Sequence, residues 1–365
     1  MLKPILLASC VVVLFGCDQK EAAPPKAAPD KPADKGPAAP AEPAGPKVGI
    51  NLPGNDPKVV ALAKKALTCK FEKSFDSECA DYKAWKDETE AFAGNKADAT
   101  LVAFLEDADE KVRALGISKL NQWDGGAFAD KALADRILAV AEKSVKGQPP
   151  LGEIVGHLKV KETGTFERLK KLLASEEIGN IMRGDILTSL LKANPESDEV
   201  FGLTTGLIND EQLGRSAFSG ITEGGETKAK ESCAFFAANL ENKDDFVSSR
   251  SAEKVASFPC KEQFDALLKS LEARVKAKKV TDAHYAEALG SLCKEKEASA
   301  AQKKKALGLT HKMVEDKTNK ATYVRGEAIE AAVACDEKGG KKYIGKFKKD
   351  ADTDVVERVT KLLAK

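Results

Sequence analysis

Six cysteines in the body of this chain are the side chains best equipped for chemistry: Cys69, Cys79, Cys233, Cys260, Cys293 and Cys335. Thiols serve as nucleophiles, metal ligands or disulfide halves. The spacing argues against a metal. No C-x-x-C is present, and the three histidines, His157, His284 and His311, lie far apart in the chain. No metal and no cofactor is therefore expected, and each histidine reads as a packing or surface residue. An even cysteine count in an exported protein points to disulfides. Of the formal connectivities, Cys69–Cys79 would close a short hairpin. Cys233–Cys260 and Cys293–Cys335 would each bridge neighbouring helical units, with Cys260–Cys293 as a rival.

Other catalytic patterns are missing. Neither H-E-x-x-H nor G-x-S-x-G occurs. Gly340 to Lys346 fits G-x-x-x-x-G-K by letter, but Phe347 stands where a phosphate loop needs Ser or Thr, and no apolar strand precedes it. An enzyme is not expected.

The elements that carry these residues announce themselves through a recurring pair. An Asp or Asn is followed six positions later by an Arg: Asp107/Arg113, Asn209/Arg215, Asp244/Arg250, Asn319/Arg325 and Asp352/Arg358. Glu177/Arg183 is a near match. Successive arginines stand 70, 32, 35, 75 and 33 positions apart, so a unit of about 35 residues recurs, as in stacked helical repeats. Val355, Val356, Val359, Leu362 and Leu363 form an apolar helical stripe, and Val112, Leu115, Ile117 and Leu120 follow Asp107 in the same way. Each unit reads as helix A, a turn, then helix B. The pairs run 97–106 with 109–122, 127–145 with 150–160, 163–175 with 177–193, and 197–208 with 211–222. They continue 227–241 with 244–257, 260–278 with 281–294, 297–315 with 319–335, and 340–349 with 352–364. Gly125-Gly126, Pro149-Pro150, Asn194-Pro195, Gly224-Gly225, Pro259 and Gly339-Gly340 mark turns. The acid at the A–B turn can cap helix B, and the arginine can reach a carboxylate of its own or a neighbouring unit.

This pattern resembles the HEAT repeat, whose second helix typically reads D-x-x-x-x-V-R-x-x-A. Asp107 to Arg113 follow it closely, and Tyr323-Val324-Arg325-Gly326 hold its centre. The resemblance implies an all-α solenoid of about eight HEAT-like helix-turn-helix repeats over 97–365. The paired acids and arginines would then hold repeats together. Residues 56–96, opening with Asp56-Pro57 and carrying a second helix near Cys79–Phe92, read as an N-terminal helical cap.

Upstream, Lys3 precedes an apolar run from Ile5 to Phe15 that is too short to span a bilayer. It ends at Leu14-Phe15-Gly16-Cys17. This resembles the lipobox of bacterial lipoproteins, which implies that residues 1–16 are a signal peptide and that Cys17 is lipidated. Leu7-Ala8-Ser9-Cys10 fits by residue type but leaves too little apolar run before it. Residues 17–55 then form a tether, whose stretch 20–47 holds eight of the fifteen prolines. That composition cannot repay ordering. A polyproline chain over residues 20–47 reaches up to about 90 Å. The expected location is the cell envelope, lipid-anchored, periplasmic or surface-facing.

Lys plus Arg is 58 against 57 for Asp plus Glu, so no global field selects nucleic acid. Lys338, Lys341, Lys342, Lys346, Lys348 and Lys349 form a basic run, and no nucleic-acid partner is expected of an exported protein. Two readings follow. The first is a membrane-anchored, non-enzymatic scaffold or adaptor that binds a protein partner on its helical-repeat surface. The alternative is a binder of an anionic envelope polymer or lipid through the C-terminal lysines, weakening with salt. A helical-repeat lyase ranks behind both, because it needs clustered His, Glu or Tyr and the sequence displays no such cluster.

Overall fold

The computed structural model describes residues 49–365 except 123–125, 145–150, 258–259, 322 and 365. The expected signal segment, Cys17 and the tether up to residue 48 lie outside the described residues, as do Pro149-Pro150 and Pro259. Among the described residues the chain is all-helical, with one antiparallel bridge, Phe71 to Phe75, and no strand. None of its helices is long and apolar enough to cross a membrane.

The order is α1 (Pro57–Ala66), α2 (Ala80–Asp87), α3 (Asn95–Leu105), α4 (Glu110–Leu120), α5 (Lys131–Ala141), α6 (Gly152–Gly156) and α7 (Val160–Thr163). Helices then alternate in pairs: α8 (Phe166–Ala174) with α9 (Asn180–Ala193), α10 (Asp198–Gly206) with α11 (Gly214–Gly224), and α12 (Ala229–Ala238) with α13 (Asp245–Ser257). The last three pairs are α14 (Phe264–Lys276) with α15 (His284–Lys294), α16 (Ala300–Glu315) with α17 (Val324–Cys335), and α18 (Glu337–Ile344) with α19 (Thr353–Ala364).

Side-chain caps set many of these starts. Asp56 accepts from the N–H groups of Lys58 and Val59, with Pro57 in the first turn of α1. Asp109, Asp130 and Ser197 open α4, α5 and α10 in the same manner. Ser299 and Gln302 form a reciprocal capping box on α16. Each such cap is worth about 1 kcal/mol.

Three expectations are corrected. The helix expected over 150–160 is broken: α6 ends at Gly156 and α7 starts at Val160, with Leu158 buried between them. The helix expected to Phe92 stops at Asp87, and Phe92 sits in a separate 3-10 turn, packed edge-on to Trp85 at 5.0 Å. Gly339-Gly340 is not a turn but lies inside α18. A Cβ at Gly340 would come 2.6 Å from the Ala332 carbonyl of α17, so glycine is there for close approach.

The second helices of successive pairs pack on each other: α9 on α11, α11 on α13, α13 on α15, α15 on α17, and α17 on α19. Glycine lets these backbones meet. A Cβ at Gly220 of α11 would lie 2.3 Å from the Leu187 carbonyl of α9. At the other end, buried Lys119 of α4 ties in the N-terminal helices. Its ammonium donates to the carbonyls of Trp85, Lys86 and Glu88, satisfying groups left open at the end of α2. Burial pushes the pKa of Lys119 down.

Candidate binding surface

None of the arginines of the recurring pair bonds the side chain six positions before it. Arg113 donates to the carbonyls of Asp107 and Ala108. Arg183, only 6% exposed, donates to the Leu173 carbonyl at the end of α8, and to Asn180 and Gln212. Arg215 reaches Asp244, the residue that caps α13 through the N–H groups of Phe246 and Val247. Arg325 donates to the Val314 carbonyl at the end of α16, and to Asp350 and Asp352 before α19. In each of these last three cases one guanidinium joins a second helix to the turn of the following pair. Arg250 departs from that pattern and bonds Glu253 in its own helix at 2.7 Å. Arg358 reaches back to Glu327 and Glu330 of α17 and along α19 to Asp354. The asparagines link turns as well. Asn209 accepts from Asn242, and Asn319 donates to the Val280 carbonyl.

The Arg325–Asp350 bond holds the Asp350 carboxyl down at about 2, against its ordinary 3.8. The same bond raises the Arg325 pKa.

The cysteines pair as Cys69–Cys79, Cys233–Cys260 and Cys293–Cys335. Cys293–Cys335 fastens α15 to α17. Three bridges suit an oxidising compartment.

The lysine run occupies α18 and the turn that follows it. Lys338, Lys342, Lys346, Lys348 and Lys349 are exposed, whereas Lys341 is half-buried and paired with Glu337. Lys346 lies over the Tyr343 ring. That ring stacks on His311 at 3.7 Å, and the Tyr343 hydroxyl donates to Glu315. Burial raises the Tyr343 pKa and lowers that of His311.

Sequence reading missed a cluster on the second helices near the C-terminus. Glu253 of α13 meets His284 and Glu287 of α15, and one ligand atom from each lies within 4.8 Å of the others. Glu253 and Glu287 are 34 positions apart. One period along the chain therefore carries the first onto the second, and superposing the units would have found the pair. A cavity of about 490 Å³ opens here, lined by Glu253, Glu287, Glu327, Glu330 and Lys294 among others. Burial first, then the like charges of Glu327 and Glu253, raises the Glu287 pKa.

No family model and no curated protein matches this chain. Among solved structures, an engineered protein from the Northeast Structural Genomics Consortium aligns with 74% of this chain and 96% of its own, at 19% identity and a TM-score of 0.28. A likeness that slight carries no argument about fold or function.

Proposed function

We propose that this chain is a membrane-anchored, non-enzymatic scaffold whose HEAT-like repeats form a solenoid that binds a protein partner. The supporting observation is the uninterrupted packing of α9, α11, α13, α15, α17 and α19, each on the next. A row of second helices, each packed on the next, offers a partner one long, stiff surface, which is what stacked helical repeats supply. Guanidinium bonds between pairs and the Cys293–Cys335 bridge hold the row together, so little order is lost on binding. Cys17 supplies the lipid anchor and the proline-rich tether the reach; the N-terminal helices cap the open end.

The exposed lysines on α18 favour a second reading, a binder of an anionic envelope polymer or lipid.

Crosslinking the lipidated protein in its native envelope, beside a Cys17→Ser version, tests the proposal. A protein adduct that persists at high salt and is lost on release from the membrane supports the scaffold. Recovery of polymer or lipid alone, lost with salt, moves the function to the lysines.

A further inference from the structure

Glu253, His284 and Glu287 bring one imidazole and two carboxylates to a single point between α13 and α15. We propose that they bind a divalent first-row transition ion of the Zn²⁺ type. This site is independent of the scaffold reading.

Three observations point there. The first is the donor set. Imidazole nitrogen with carboxylate oxygen suits Zn²⁺ and its neighbours, whereas Mg²⁺ and Ca²⁺ prefer oxygen alone. His284 and Glu287 sit one turn apart on a rigid helix, and Glu253 faces them from the adjoining one. Donors within 4.8 Å of one another need only small side-chain movements to share an ion.

The second is the orientation of the imidazole. Nδ1 of His284 is bonded to the Asp282 carboxylate, which accepts only. In the neutral imidazole Nδ1 then carries the proton, leaving the Nε2 lone pair free 3.7 Å from Glu287 Oε2. Two acceptors facing each other call for a cation or a proton between them. A carboxylate behind the imidazole is also the arrangement that orients and strengthens a histidine ligand.

The third is the local charge balance. Arg358 engages Glu327 at 2.6 Å and Glu330 at 2.8 Å. Arg250 engages Glu253 through Oε2. Among the described residues Glu287 has no ion pair with a guanidinium; it is partly withdrawn from water, attracted by His284 and Arg250 and repelled by Glu327 and Glu253. A cation relieves that repulsion. The adjoining cavity leaves room for water or a further ligand to complete the coordination, as at a three-ligand site with open positions.

The test is calorimetric titration of the purified full chain with ZnCl₂, repeated with MgCl₂, and visible absorption after loading with Co²⁺. The expected result is one Zn²⁺ per chain, no Mg²⁺ binding at the same concentration, and cobalt bands of a low-coordinate nitrogen–oxygen site. His284→Gln and Glu287→Gln should each weaken Zn²⁺ binding by about tenfold or more. Glu330→Gln, at a residue held by Arg358, should leave it unchanged. Thermal melts without metal establish that the variants fold, and added Zn²⁺ should raise the melting temperature of the parent and of Glu330→Gln, but that of His284→Gln and Glu287→Gln less. No saturable Zn²⁺ binding, or binding that His284→Gln and Glu287→Gln both retain, overturns the proposal.

Discussion

Arg325 and Asp350 meet through two parallel hydrogen bonds, 2.9 and 2.8 Å long, with their side chains only 6% and 3% exposed. The pair joins α17 to the turn before α19, and the same guanidinium takes the Val314 carbonyl at the end of α16. One arginine thus fastens three segments. A buried pair of this kind contributes little net energy when intact, but losing one partner strands the other.

Asp350→Asn should therefore destabilise the fold by about 3 kcal/mol, because Arg325 keeps its charge in a buried site. Arg215 makes the equivalent contact to Asp244 but is 67% exposed. Arg215→Ala should cost less than about 1 kcal/mol. Denaturant midpoints of the two variants measure the contrast. Equal losses would mean that burial is not what sets the value of these bonds.

The pH dependence has a definite sign. The Asp350 carboxyl is held at about 2 in the fold and starts from 3.8, so the unfolded chain takes up the proton first as pH falls. The stabilisation is complete above about pH 4 and is lost between about pH 4 and 2, to the extent of about 2 kcal/mol. Denaturation midpoints measured across that range should fall less steeply in Asp350→Asn than in the parent.

Gly220→Ala opposes two effects. Alanine gains about 1 kcal/mol of intrinsic helix preference over glycine. Its Cβ, however, would sit 2.3 Å from the Leu187 carbonyl, and backbone cannot move aside cheaply. Overpacking should win, leaving the variant about 1–3 kcal/mol less stable. Gly202→Ala in α10 is the control, because nothing lies within 4 Å of its Cβ. That change should be neutral or stabilising.

Removing the Cys293–Cys335 bridge by double alanine substitution should cost about 4 kcal/mol, given its sequence separation of 42. Removing Cys69–Cys79, with a separation of 10, should cost about 3 kcal/mol. Equilibrium unfolding of each double variant checks both the size and the order.

Much of this was legible in the chain because it depends on local rules. Apolar periodicity gave most of the helix pairs to within a few residues, as with 297–315 for α16, the broken 150–160 helix excepted. The spacing of Arg215 and Asp244 carried the contact between them, since both belong to a period of about 35. What was not legible depends on which side chain faces which across a helix pair. Lys119, which no sequence signal singles out, is buried because α2 ends against it. Gly339-Gly340 reads as a turn, yet both lie in α18 and Gly340 is its contact with α17. The Glu253–His284–Glu287 group was hidden because its members are ordinary helix-surface residues until α13 and α15 are laid side by side.

The central claim, a partner bound along the second helices, is tested most directly by site-specific photocrosslinking in the envelope. One probe replaces Lys294 on α15, beside the acidic cavity. A second replaces Lys342 on α18, in the lysine run. The account predicts a discrete protein adduct from position 294 that survives high salt, with little from position 342. Adducts from position 342 alone, abolished by salt and free of protein, would contradict it.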